Sequence, residues 1–410
     1  MEARVSRTRP RSAVPAPDEG DRAAPIAHTP LPRDSRARPL PHTRTRMALR
    51  IHELLKFAIE NKASDIHFAA GEKPAVRRDG EVQRLDVPAL TADDAKRLAY
   101  SMMPEKQRIA FENNLETDFA IAFKGLARFR VNVFTQTRGI GVAMRQIPTR
   151  ILTMEELGLP PIFNRIANFK RGLVLVTGPT GSGKSTTLAA VIDWINKNRA
   201  EHILTIEDPV EFVHPPQKCL VNQREVGTDT KSFAAALRSA LREDPDVILV
   251  GEMRDLETIQ LAISAAETGH LVFGTLHTNS APETVDRLID AFPHEAQQQV
   301  RTMLSSSLMA VVTQALIRKA FEPGRIAAQE IMIVNNAIRN LIRENKLFQI
   351  PSMMQAGRAD GQQTMGMAVK DLALKKRISR DLAMQIANDP KLFDDVPAPT
   401  IGAPRPPPPR

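Results

Sequence analysis

The amino-acid sequence predicts an α/β protein in which a smaller α+β domain precedes a larger, doubly wound α/β domain. The larger domain is indicated by short apolar runs that alternate with helical segments, as in a buried parallel sheet. These runs lie at residues 173–177, 203–206, 247–250 and 271–275. A glycine-rich turn joins the first run to a helix. Before residue 150, strand segments instead alternate apolar with polar or small residues, which is typical of antiparallel sheets.

Composition limits the classes of function. The chain has 410 residues, 42% hydrophobic and 25% charged, which is room for two or three domains. Of the net charge of +9, seven charges belong to residues 1–46 and 401–410. The remaining body is near neutral and the chain is only 4% aromatic, so we expect no nucleic-acid partner.

Cysteine and hydropathy indicate where the protein works. Cys219 is the only cysteine, which excludes an internal disulfide and favours a reducing cytoplasm. No apolar stretch approaches the ~18 residues that a membrane span needs. We therefore expect a cytoplasmic protein whose membrane contact is peripheral only.

The N-terminal elements follow from local patterns. Residues 1–46 hold eight prolines among arginines and are predicted to be a disordered leader, with Met47 as an alternative start. The small domain is expected at 47–148. Its predicted elements are a helix at 51–59, a strand at 64–68, a hairpin turning at Asp79 and Gly80, a helix to residue 102 that begins with a Thr91–Asp94 capping box, and strands at 119–123, 126–134 and 141–147.

A proline-containing linker is expected at 149–161, and the large domain at 162–396. Beyond the four apolar strands, the pattern predicts one long helix at 296–319, a strand at 329–334, and helices at 335–345 and 370–388. Seven prolines indicate a disordered tail at 397–410.

The glycine-rich turn fits the phosphate-binding loop pattern G-x-x-x-x-G-K-[ST]. Glycine lets backbone N–H groups approach phosphate oxygens, Lys184 adds a charge for the β- and γ-phosphates, and the Ser185 hydroxyl suits Mg²⁺. The alternative is a turn that binds nothing. We expect a bound nucleoside triphosphate, held by Gly178, Thr180, Gly181, Ser182, Gly183, Lys184, Ser185 and Thr186.

Three carboxylates follow the 203–206 strand, at the strand end where open α/β sheets place their ligands. We expect Glu207 and Asp208 to hold Mg²⁺ through water and Glu211 to orient the attacking water. The alternative is a solvated acidic turn.

Glu252 ends the apolar strand at 247–250, where P-loop enzymes carry an acidic residue. We predict that it accepts a proton from the attacking water. The alternative is a structural role at the strand end.

His270 and His277 bracket the 271–275 strand. Their spacing does not fit a metal pair on one helix face. We predict that one of them, with Thr275, senses the γ-phosphate; the alternative is that both are ordinary core or surface groups.

Arginines of the small domain are candidates for transition-state charge. Arg128 and Arg130 are two residues apart on one predicted strand and share a face, and Arg145 lies on the next strand. The three can therefore converge on one site, with Arg130 the strongest candidate. The alternative is a solvated basic face.

Four stretches together resemble the secretion-ATPase superfamily. They are GPTGSGKST as Walker A, TIEDPVEF as the Asp box, DVILVGEMRD as Walker B and TGHLVFGTLHT as the His box. ASDIHF, GLARFRVN, SFAAALRSALREDPD and AIRNLIRENK are similar to the PilT/PilU branch of type IV pilus retraction ATPases. The resemblance covers residues 47–390. One departure is GQQTMGMAV, in which Gly366 replaces an acidic residue and puts the C-terminal helix contacts in question.

The resemblance implies a RecA-like ATPase domain, a PAS-like small domain, and a homo-hexameric ring with ATP and Mg²⁺ between the domains. It also implies pilus retraction at the inner membrane, with a platform protein and a PilU-type ATPase as partners. The alternatives are an accessory PilU-type role, an extension ATPase and a type II secretion ATPase. The last two are disfavoured because the sequence shows neither a four-cysteine zinc insertion nor a large extra N-terminal domain. A subunit that senses nucleotide without hydrolysis and a DNA motor are further alternatives.

Overall fold

The computed structural model describes residues 49–78, 81–124, 126–147 and 150–397. The predicted leader, the hairpin residues Asp79 and Gly80, and the tail beyond Pro397 lie outside the described residues.

The N-terminal strands are short and alternate in burial, as the sequence pattern predicts. They are β1 (Asp65–Ala69), β2 (Ala75–Arg78), β3 (Glu81–Arg84), β4 (Glu116–Phe123), β5 (Ala127–Gln136) and β6 (Gly139–Ile147). Within the described residues they form one antiparallel sheet in the order β3-β2-β1-β6-β5-β4, here called the N-terminal sheet. Arg130 on β5 lies directly opposite Arg145 on β6, so the two share a face.

Helices α1 (Ile51–Glu60), α2 (Ala92–Met102) and α3 (Glu105–Asn114) belong to the same part of the chain. The predicted capping box of α2 is confirmed. The Asp94 N–H donates to Thr91 Oγ1 at 3.1 Å, and the Thr91 N–H donates to Asp94 Oδ2 at 3.3 Å. Helix α3 was not predicted, because its apolar residues are too few to show a period.

The second part of the chain contains a mixed sheet, here called the C-terminal sheet. Its strands are β7 (Gly172–Thr177), β8 (His202–Glu207), β9 (Leu220–Glu225), β10 (Val247–Val250), β11 (Leu271–Leu276), β12 (Leu308–Arg318) and β13 (Arg325–Ile333). Among the described residues their order is β13-β12-β7-β11-β10-β8-β9, parallel except for the β12–β13 pair. The predicted α/β class with a parallel sheet is confirmed.

Helices cover both faces of the C-terminal sheet. They are α4 (Ile162–Ala167), α5 (Lys184–Asn198), α6 (Phe233–Ala240), α7 (Leu256–Glu267), α8 (Ala281–Asp290), α9 (His294–Ser307), α10 (Asn336–Arg343), α11 (Ile350–Ala356), α12 (Met365–Leu374) and α13 (Arg380–Ala387). Leu175 packs in the core with α6 to α9, and Val176 in the opposite core with α4 and α5. This burial on both faces explains the nearly continuous apolar runs.

The predicted long helix at 296–319 is wrong. Helix α9 ends at Ser307, and β12 pairs with β7 on one side and β13 on the other. The strand is buried on both faces, so its apolar run has no period of two that would distinguish it from a buried helix. The β-branched run Val311, Val312 and Thr313 favours a strand locally.

The predicted helix at 370–388 is also divided. Helix α12 ends at Leu374, and α13 begins after Ser379, whose hydroxyl accepts from the Leu382 N–H at 3.3 Å. Gly366 lies in α12 where a Cβ atom would come within 2.9 Å of Leu392. This glycine therefore allows Leu392 to pack closely against the helix.

No helix of the described segments is long and apolar enough to cross a bilayer.

Candidate nucleotide-binding site

The glycine-rich loop lies at the carboxyl end of β7 and leads directly into α5. Its glycines adopt the left-handed or otherwise positive φ values that glycine tolerates, 132° at Gly178, 79° at Gly181 and 91° at Gly183. A Cβ atom on Gly178 would lie 2.2 Å from the carbonyl oxygen of Gln314. The loop is therefore a tight backbone turn at a helix N-terminus, which is the form that binds phosphate.

Gln314 on β12 contacts this loop from within the C-terminal sheet and is almost fully buried. Its Nε2 donates to the Ser182 carbonyl at 2.6 Å, and its Oε1 accepts from Thr187 Oγ1 at 2.8 Å. The amide thus ties the loop to the first turns of α5. Sequence reasoning missed Gln314 because it placed the residue in a helix; a glutamine inside an apolar run was the available signal.

Lys184 begins α5 and points back over the loop. Its Nζ donates to the Gly178 carbonyl at 2.7 Å and the Pro179 carbonyl at 3.2 Å. Burial lowers the pKa of Lys184, while the charges of Glu252 and Glu211 act to raise it. Both carboxylates therefore lie within electrostatic range of this ammonium group.

Ser185 and Thr186 follow in the first turn of α5 and are partly buried, whereas Thr180 at the tip of the loop is exposed. Ser182 Oγ is buried and has no hydrogen-bond partner among the described residues. The loop thus keeps several hydroxyl groups close to the helix N-terminus.

Glu252 follows β10, and hydrogen-bond donors of neighbouring side chains surround its carboxylate. Its carboxylate accepts from Arg254 Nε at 2.5 Å and Nη2 at 2.7 Å, and its Oε1 lies 3.0 Å from His277 Nε2. Burial alone would raise the pKa of Glu252, but the hydrogen bonds and charges of Arg254 and His277 lower it overall. Glu252 is therefore ionised at neutral pH and available as an acceptor. Arg254 was not singled out from the sequence, although it lies two residues beyond Glu252.

The carboxylates of the acidic turn after β8 differ in their contacts. Glu207 Oε1 accepts from Thr205 Oγ1 at 2.8 Å and Gln223 Nε2 at 3.3 Å, and its Oε2 accepts from the Glu211 N–H at 3.3 Å. Burial raises the pKa of Glu207. This carboxylate holds its own turn together, and the exposed Asp208 is freer to contact a ligand.

The two histidines lie at opposite edges of the C-terminal sheet. His277 follows β11 beside Glu252, on the edge that carries the glycine-rich loop. His270 precedes β11 and is tied to Gly172, at the start of β7, by a backbone hydrogen bond of 2.9 Å. Six strand residues separate Gly172 from Gly178, roughly 20 Å. Of the two histidines predicted as candidates, His270 therefore lies far from the glycine-rich loop of this chain, and His277 lies close to it.

Comparison with known proteins agrees with this geometry. The family model "Type II/IV secretion system protein" matches residues 44–325. The chain is 57% identical over 343 residues to the type IV pilus retraction ATPase PilT of Pseudomonas aeruginosa, which covers 84% of this chain and 99% of that protein. It is 53% identical over 316 residues to a twitching motility protein of Neisseria gonorrhoeae, covering 77% of this chain and 84% of that protein. The chain belongs to the type II/IV secretion system protein family, in its PilT branch.

A solved structure of this PilT branch has the same fold. The crystal structure of the pilus retraction motor PilT with bound ADP matches with a TM-score of 0.78 and 53% identity, covering 84% of this chain and 98% of that one. The sequence prediction of this family is thereby confirmed.

In this PilT-branch chain, the three predicted arginines do not converge on one point. Arg130 donates to Asp118 at 2.7 Å, Arg145 to Asp65 at 2.8 Å, and Arg128 to Glu225 at 3.2 Å. Hydrogen bonds with Asp118 raise the pKa of Arg130, and the charges of Glu211 and Asp208 add smaller contributions in the same direction. Arg130 therefore lies near the acidic turn.

The donor set at this edge fits Mg²⁺ in a particular way. In the described residues, no group of three or more His, Cys, Asp and Glu side chains is arranged to hold a metal by itself. The hydroxyl of Ser185 and the carboxylates near Lys184 are hard oxygen ligands. Mg²⁺ commonly takes one or two protein oxygens and completes its shell with phosphate and water. The residues present suit a metal that arrives with a nucleotide.

Proposed function

We propose that this chain is the ATP-hydrolysing motor that retracts type IV pili. The observation that carries the proposal is a preformed phosphate loop whose Lys184 lies within electrostatic range of Glu252 and Glu211, in a chain of the PilT branch. Further support comes from the matched crystal structure, which is that of a pilus retraction motor with bound ADP.

The loop residues bind and orient the nucleotide. Backbone N–H groups of residues 178–185 and the N-terminus of α5 favour an anion, and Lys184 exchanges its bonds to two loop carbonyls for bonds to phosphate oxygens. Mg²⁺, when bound, neutralises charge on the β- and γ-phosphates. Ser185 would hold it directly and Asp208 through water. Glu207 stays a prediction as a metal ligand, because its oxygens already hold the turn.

Glu252 takes the role of proton acceptor for the attacking water. Its carboxylate stays ionised despite partial burial, since Arg254 and His277 lower its pKa. His277 hydrogen-bonds to the same carboxylate. A movement of Glu252 in response to the nucleotide therefore reaches the loop after β11 through one hydrogen bond. Glu211, whose charge also acts on Lys184, is the candidate for orienting the water.

The assembly and partners belong to the same proposal. We infer a homo-hexameric ring, peripheral attachment at the cytoplasmic face of the inner membrane, contact with a pilus platform protein, and cooperation with a PilU-type ATPase. We further propose functional domains at residues 47–148 and 162–396, joined by a linker at 149–161, with a leader and a tail outside them. The two separate sheets of the described residues support this division.

Pilus number per cell tests the proposal. A strain lacking this chain should carry excess pili and lose twitching motility, and the wild-type gene should restore both. A gene with Lys184→Ala should not restore them, because the phosphate charge is then uncompensated. Lys218→Ala, which removes an exposed ammonium outside the loop, is the control and should restore both. Cells without pili would instead indicate an extension motor, and an unchanged phenotype an accessory role.

A further inference from the structure

The two sheets belong to one unit, residues 47–410, and an ion pair joins them. Arg128 on β5 of the N-terminal sheet donates through Nη2 to Glu225 Oε2 at 3.2 Å, at the end of β9. The side chains of Arg128 and Glu225 are only 19% and 11% exposed. A partly buried pair of this kind is costly to break, because it leaves an uncompensated charge.

The same carboxylate also holds the acidic turn. Glu225 Oε2 accepts from the backbone N–H of Val210 at 3.1 Å, and its Oε1 accepts from Thr228 Oγ1 at 3.2 Å. Val210 lies between Asp208 and Glu211 in the chain. One oxygen atom thus bonds both the N-terminal sheet and the turn that carries Asp208 and Glu211.

A second contact falls on the same segment. Lys106 on α3 donates through Nζ to the Gly227 carbonyl at 2.5 Å. Residues 225–230 form a tight turn in which the Asp229 N–H donates to the Glu225 carbonyl at 2.7 Å and the Gly227 N–H to the Thr230 carbonyl at 2.8 Å. Contacts from the N-terminal sheet and from α3 therefore converge on one rigid turn.

These contacts give Arg128 and Arg130 different tasks, although both lie on β5. Arg130 reaches the acidic turn by its charge, while Arg128 is bonded to the residue that holds the turn. We propose that Arg128 and Glu225 are a positioning pair, which transmits the placement of the N-terminal sheet to residues 208–211. The turn then presents its carboxylates correctly only while the sheet is docked. This inference goes beyond the proposed function and uses it only for the activity readout.

A double-mutant cycle tests the pair. Arg128→Gln and Glu225→Gln should each lower kcat for ATP about tenfold with a small change in KM, which is the size of a typical coupling between sites. The double variant should be no worse than Glu225→Gln, because Arg128 acts through that carboxylate. Arg138→Gln is the control, since it removes an exposed arginine that pairs with Glu72 between loops of the N-terminal sheet, and it should be neutral. If the losses of the two single variants instead multiply in the double variant, the proposal is overturned. Arg128 would then act directly on the nucleotide.

Hydrogen exchange gives a readout that is independent of activity. Arg128→Gln should speed exchange of the Val210 amide, and Arg128→Lys should partly restore protection because one bond to Glu225 is regained. Unchanged exchange at Val210 in a folded Arg128→Gln protein would contradict the proposal. If the wild-type chain hydrolyses no ATP, the proposed function fails, whereas the exchange experiment still decides whether the pair holds the turn.

Discussion

The two halves of the candidate site are built very differently. The phosphate loop takes its support from within the C-terminal sheet, where Gln314 is bonded to the loop and to α5. The arginines of the N-terminal sheet are instead neutralised one by one, with Arg128 on Glu225, Arg130 on Asp118 and Arg145 on Asp65. The phosphate loop is preorganised for phosphate. Each arginine of the N-terminal sheet would have to leave its carboxylate before it could contact a nucleotide.

Exposure indicates which arginine can change partners. Arg130 and Asp118 are 43% and 38% exposed, and ion pairs of that kind are worth roughly 0.2–1 kcal/mol. The Arg128–Glu225 pair is much more buried. Arg130 can therefore leave its carboxylate at small cost, whereas Arg128 is suited to stay paired with Glu225.

The largest effect expected within the preorganised half is that of Glu252→Gln. The amide keeps the shape but cannot accept a proton, so turnover should fall by ~10²–10⁴ while ATP still binds. Single-turnover hydrolysis and a nucleotide titration measure the two quantities. Glu257→Gln, on the nearby helix α7, is the control and should leave both unchanged. An equal loss of ATP affinity in Glu252→Gln would assign the residue to binding or folding.

A smaller effect is expected from the support beneath the loop. Gln314→Ala leaves the Ser182 carbonyl and the Thr187 hydroxyl without their partner, and an unsatisfied buried group costs about 1–3 kcal/mol. ATP affinity should therefore weaken roughly tenfold or more. An affinity equal to wild type would show that the loop does not need this support and would weaken the contrast between the two halves.

The smallest effect on the site, but a measurable one on stability, concerns His214. Burial lowers its pKa to about 4, although Asp193 acts in the opposite direction. The unfolded chain binds a proton near pH 6.5 and the folded chain does not, so this contribution is present above pH 6.5 and is lost as the pH falls towards 4. The loss amounts to about 3 kcal/mol. His214→Gln should flatten the decline of Tm between pH 7 and 4, with ATP turnover at pH 7 unchanged; a decline as steep as in wild type would contradict this.

Much of the fold could be predicted because it depends on local pattern. The glycine-rich loop, four strands of the C-terminal sheet and the capping box of α2 are each set by a few neighbouring residues. Strand β12 could not be recognised by period, because burial on both faces removes the alternation. The support by Gln314 was out of reach for a further reason, since it depends on how β12 pairs with β7, more than 120 residues earlier.

The positions of the two histidines could be told apart from the sequence, whereas the partner of Arg128 could not. His270 precedes its strand and His277 follows it, so strand polarity alone separates them to opposite edges. The bond from Arg128 to Glu225 joins residues 97 positions apart, and no local pattern records it.

We propose that the N-terminal sheet completes the site through Arg130, whose charge reaches the acidic turn. The measurement is steady-state ATP turnover of Arg130→Ala beside Arg145→Ala, its neighbour on the same face, with nucleotide affinity measured for both. An arginine that reaches the transferred phosphate is worth ~10³–10⁵ in turnover, so Arg130→Ala should lose at least about 10³ with nearly unchanged affinity, and Arg145→Ala should lose far less. Turnover near wild type in a folded Arg130→Ala protein would contradict the claim.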